Sequence, residues 1–133
     1  MTKLTTKLEI KSWDEQPYRE LDDGRTFTKA DVTLAGTGDG IEAGSFESIM
    51  FYRTDGTADY VSVMQLSGSL DGKSGDFVLR GDGSFDGTTA QGEMEIVPGS
   101  GTGAFAGITG TATSASTHDD YPFMPLEITY ALG

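Results

Sequence analysis

The sequence predicts an all-β protein: an eight-stranded antiparallel up-and-down β-barrel forming one domain over residues 1–133. Three observations point there. Asp-Gly occurs six times, and the first four copies start 16 residues apart, at Asp23, Asp39, Asp55 and Asp71. Asp tolerates the left-handed region and Gly enters it without a Cβ clash, so this dipeptide suits the tight turns of hairpins. Between the turns, apolar residues recur with a period of two. No stretch of 12 or more residues carries a helical apolar stripe.

The strands follow in order. Leu8-Glu9-Ile10-Lys11 alternates near the N-terminus. Phe46, Ser48, Met50 and Tyr52 lie on one face of a strand, with Glu47, Ile49 and Phe51 on the other. Asp59 to Leu66 and Asp76 to Arg80 repeat the pattern, as do Gly92, Met94 and Ile96 against Glu93, Glu95 and Val97. Leu126 to Leu132 reads as the last strand. Asp82-Gly83 and Asp86-Gly87 read as two hairpin turns. A short helical turn is expected near 102–108, in a Gly-rich loop whose Phe105 and Ile108 plug one end of the barrel. Eight strands with one apolar face must close on themselves or fold into two layers. Short links between sequence neighbours favour closure, with a sandwich as the alternative.

The chain carries 9 basic and 21 acidic residues, a formal net charge of −12. Such a field repels phosphate backbones and anionic lipid faces, so no nucleic-acid or membrane partner is expected. Without Cys there is no disulfide or thiolate metal site. The uncharged stretch Ile96 to Thr117 is rich in Gly, Ser and Thr and cannot span a bilayer. The residues from Met1 to Lys7 lack the apolar run of a secretion signal, and a cytoplasmic location is the expectation.

Two motif matches lack their context. Gly99 to Ala104 fits G-x-G-x-x-A, but Phe105 to Thr111 cannot supply the helix a dinucleotide needs. Asp82 to Gly87 offers too few oxygens for calcium. No cofactor and no metal are therefore expected. His118, the single histidine, sits in a polar loop with Asp119 and Asp120, which makes it a candidate general base against an ordinary exposed loop histidine. The sole Trp, Trp13, stands beside Asp14 and Glu15. Bordering an apolar cavity, Glu15 is a second candidate for proton transfer; otherwise this is a strand end with solvated acids. Trp13, Tyr18, Tyr52, Tyr60, Met64 and Tyr130 are the expected lining of a lumen for one small apolar or aromatic molecule. A barrel this narrow can equally be filled by its own side chains. Outward apolar residues such as Ile49, Phe51 and Val97 point to homo-oligomers.

Three strings occur together: Leu8 to Glu15 with Tyr18 and Glu20; Met50-Phe51-Tyr52-Arg53-Thr54-Asp55-Gly56-Thr57-Ala58; and Val97-Pro98-Gly99-Ser100-Gly101-Thr102-Gly103 through Gly110. In that order they resemble a bacterial family of uncharacterised proteins, domain of unknown function 3224. The resemblance implies a barrel similar to allene oxide cyclase, and so either ligand binding or isomerase and cyclase chemistry. The cyclase pins an oxygen with polar side chains that include asparagines. This chain contains no Asn, so that activity does not carry over. Binding of a small apolar guest is the leading expectation. The alternatives are an isomerase using Glu15 or His118, and a structural or oligomer-forming domain.

Overall fold

The computed structural model describes residues 1–133. Strands β1 (Thr2–Glu20), β2 (Thr26–Ala35), β3 (Ile41–Tyr52) and β4 (Ala58–Leu70) are followed by β5 (Lys73–Phe85), β6 (Thr89–Ile96), β7 (Thr109–Thr117) and β8 (Phe123–Ala131). Single 3₁₀ turns occupy Gly103–Phe105 and His118–Asp120. Each strand pairs antiparallel with its sequence neighbour, and β8 returns to β1, so the sheet is a closed barrel rather than a sandwich. No helix is long and apolar enough to cross a membrane.

The length of β1, 19 residues, follows from closure. Its first half, Thr2 to Glu9, pairs with β8, and its second half, Glu9 to Glu20, pairs with β2. A register shift between Ile10 and Ser12 separates the halves. The extra residue there reverses which side chains face inward: Leu8 before it is fully buried, whereas after it Trp13 and Glu15 stand opposite the buried Val32 and Ala30. A second shift between Pro17 and Arg19 puts the one proline of the strand at an irregularity, the kind of position where a sheet tolerates a missing N–H.

Most Asp-Gly pairs turn the chain as expected. Asp71 (φ 52°) and Gly72 (φ 76°) are both left-handed and join Leu70 to Lys73 as a two-residue hairpin. In the Arg53–Thr57 turn the Thr57 hydroxyl and amide both donate to Asp55, at 2.7 and 2.9 Å, and hold its carboxyl below the usual carboxylate range. Asp86 caps the β5–β6 turn by accepting from the Thr88 and Thr89 amides. Asp82-Gly83 departs from the expectation, because it lies inside β5 and turns nothing. Gly83 is there for space: a Cβ on it would stand 2.4 Å from the Tyr60 ring.

One end of the barrel is shut. The loop from Val97 to Ile108 folds over it, and the 3₁₀ turn presses Phe105 edge-on against Phe77, ring centroids 5.7 Å apart. Phe105 and Phe77 are both 0% exposed, and Ile108 is 3%. Beneath this plug, Leu8, Val32, Leu66, Leu79, Leu126 and Ile128 fill the lower half of the lumen. The sequence left an open and a filled interior as alternatives, and each describes one half.

Candidate functional site

The upper half of the barrel holds a cavity of about 370 Å³, bordered at its mouth by Thr117, His118 and Tyr121 of the β7–β8 turn. Its floor is Met64, and its walls carry Phe46, Tyr52, Tyr60, Phe85 and Phe123. Met50, Met64, Met94 and Met124 all line it, so every methionine after the first residue faces this one space. Ser48 and Ser62 face each other across β3 and β4 and bond through their hydroxyls at 2.5 Å, which satisfies two polar groups of a mainly apolar wall.

At the rim, the Glu15 carboxylate accepts three hydrogen bonds: from Trp13 Nε1 at 3.0 Å, from Thr28 Oγ1 at 2.8 Å and from Tyr52 Oη at 2.8 Å. The β1 bulge turns Trp13 and Glu15 inward, where they meet the inward residue Thr28 of β2 and the end of β3. Trp13 also meets Phe46 edge-on, centroids 5.8 Å apart. Trp13 and Tyr52 line the cavity while Glu15 stands behind them, so its three bonds fix the orientation of two lining rings. Nothing in local sequence marks Thr28 as the third partner; only the β1–β2 register brings it close.

Burial, then the hydrogen bond to Glu15, then the charge of Glu15 push the Tyr52 phenol from 10.0 up to about 12. The unfolded chain releases this proton near pH 10 and the folded chain does not, so stability is complete below pH 10 and falls as pH rises towards 12. Solvent screening of this partly exposed group reduces the expected loss to about 1 kcal/mol. Denaturant melts from pH 9 to 12 should show a shallower alkaline decline for Tyr52→Phe than for the parent protein. An equal decline would mean that Tyr52 does not carry it.

The other expected site residues divide by position. Tyr60 and Met64 line the cavity, and His118 stands exposed at its mouth in the 3₁₀ turn after β7. Tyr18, beside the second β1 irregularity, points outward at 53% exposure and packs on Phe27. Tyr130 faces inward but at the shut end, buried, with its hydroxyl donating to Asp71 at 3.1 Å. Burial first and Asp71 second push its phenol up. Neither Tyr18 nor Tyr130 touches the cavity. Phe46, Phe85 and Phe123 do, and period-two counting from Met50 reaches Phe46 while counting from Phe77 reaches Phe85. No three His, Asp or Glu side chains converge as a metal-holding group.

Comparison with solved structures finds a crystal structure of a protein with unknown function from Shewanella oneidensis MR-1, of the DUF3224 family, with a TM-score of 0.77 at 25% identity. The match covers 100% of this chain and 98% of that one. No curated protein matches. The family model for proteins of unknown function DUF3224 matches residues 4–130, and the chain belongs to that family.

Proposed function

We propose that the open half of the barrel binds one small apolar or aromatic molecule. The cavity carries this reading: its 370 Å³ fall within the range of about 300–1,000 Å³ typical of small-molecule pockets. At ~30 Å³ per water, the space equals roughly a dozen waters, which suits a guest of one or two rings and is short for a long acyl chain. Its lining fits the same guest. Four thioethers adapt to irregular shapes, and the aromatic rings offer flat apolar contact that the Glu15 hydrogen bonds hold in place.

Thermal unfolding in the presence of simple phenols, monoterpenoids and medium-chain fatty acids tests the reading. A guest at a hundred times its Kd should add about 2.7 kcal/mol to stability, a shift of several degrees. Ala90 lines the cavity and its side chain makes no hydrogen bond, so Ala90→Trp should fill the space and erase the shift. A flat response across the panel, or an equal shift in the filled variant, would count against an internal guest.

A further inference from the structure

The cavity contains a polar group with no partner in the chain. Three tyrosines face the lumen, from β3, β4 and β8. Two are engaged: Tyr52 donates to Glu15 and Tyr130 to Asp71. The third, Tyr60, extends from β4 across the inner surface of β5 and β6. Its Oη lies 2.4 Å from the place a Cβ on Gly83 would occupy and 3.1 Å from that on Gly92. Two inward glycines on neighbouring strands thus leave a bed for one phenol. The ring is half-buried and lines the cavity, and its hydroxyl has no partner in the chain. Of the other lining hydroxyls, the Ser48–Ser62 pair is closed on itself, Ser114 donates to the Pro125 carbonyl at 2.7 Å and Thr117 donates to Asp120, while Thr88 and Ser116 lie next to the β5–β6 and β7–β8 turns.

The charges around this hydroxyl have one sign. The cavity lining contains no Lys and no Arg. Glu15 stands behind the Trp13 and Tyr52 rings, and Asp82 lies beside Gly83 in β5. Burial first and the Asp82 charge second push the Tyr60 phenol up, so it keeps its proton and remains a donor at neutral pH. A carboxylate guest would shed its hydration here without gaining a cation, in a protein whose net charge is −12.

We infer that the guest is an uncharged molecule carrying a hydrogen-bond acceptor, such as a ketone, aldehyde or ether on an apolar body, and that the Tyr60 hydroxyl donates to that acceptor. This rests on the cavity reading above. The hydroxyl is open to water in the free protein; a hydrocarbon that displaces that water leaves the donor unpaired and is disfavoured, which selects for the acceptor.

Four probes of similar size separate the possibilities: acetophenone, isopropylbenzene, benzoate and phenyltrimethylammonium, each titrated at pH 7 while the methyl resonances of Met50, Met64, Met94 and Met124 are followed. Acetophenone should bind about three- to tenfold more tightly than isopropylbenzene, the worth of one neutral hydrogen bond. Benzoate should be weaker than both. In Tyr60→Phe, which keeps the ring on its glycine bed, the two neutral probes should bind equally, with isopropylbenzene tighter than in the parent because no donor is left unpaired. A ketone preference that survives Tyr60→Phe would overturn the inference, as would benzoate or the ammonium binding most tightly. Isopropylbenzene bound with no ketone preference would overturn it while leaving the cavity reading intact. Failure of all four to move the methionine resonances would overturn both.

Discussion

Phe105→Ala should lower the unfolding free energy by about 3–5 kcal/mol, read as a fall in the denaturant midpoint at unchanged slope. The ring is fully buried and stands edge-on to Phe77, so truncation removes its transfer energy and its aromatic contact and leaves a hole. The hole cannot easily collapse. The plug loop is tied to β5 twice just before Phe105, with the Thr102 amide donating to the Asp76 carbonyl at 2.9 Å and Ser100 Oγ accepting from the Val78 amide at 3.0 Å. A Cβ on Gly75 would stand 3.1 Å from the Phe105 ring, so the strand already lies against it. Native domains hold about 5–15 kcal/mol in total, so this single change removes a large fraction. A loss below about 1 kcal/mol would mean that the 3₁₀ turn is a cover and not part of the core.

Glu15→Ala is expected to cost about 1–3 kcal/mol and to loosen the rim of the cavity. Three donors lose one acceptor together. Trp13 and Tyr52 can turn to water, but Thr28, only 7% exposed, cannot do so fully. Trp13 should then lose its fixed place against Phe46, visible as reduced near-ultraviolet dichroism from the chain's sole indole. The double variant with Tyr52→Phe should cost less than the sum of the single changes, because both remove the same 2.8 Å bond. Strict additivity of the two would show that this bond contributes nothing.

Much of the barrel is legible in the sequence because alternation is a local property. Phe46, Ser48, Met50 and Tyr52 declare their inward face without any knowledge of their neighbours. The Phe105 plug is legible for a similar reason, as two large apolar residues stranded in a glycine loop have nowhere to go but the core. What alternation does not give is phase across an irregularity or depth along the axis. Tyr18 follows Trp13 and Glu15 by five and three residues, both odd, so alternation sets it on the outer wall, and it is the Ile10/Ser12 shift that sets which face of this segment is inward. Tyr130 is inward, as its parity says, yet its partner Thr2 sits at the shut end. Asp82-Gly83 has the composition of a turn but serves the Tyr60 ring, a contact with a residue on another strand. Thr28 enters the Glu15 cluster through register alone. The oxygen-poor, methionine-rich character of the cavity is visible only once four distant strands have been brought round one axis.

The pairing of β1 with β8 bears on how the molecule reaches its native state. Thr2 to Glu9 finds its partner only in Phe123 to Tyr130, so an early segment of the barrel waits for a late one. Until then the N-terminal half of β1 exposes an unpaired edge that carries Leu4 and Leu8, a template for pairing with another nascent chain. Contacts between opposite ends of the sequence close slowly, so refolding on the millisecond-to-second scale of non-local β topologies is expected. Truncation inside β8 should yield aggregates in place of a smaller folded unit.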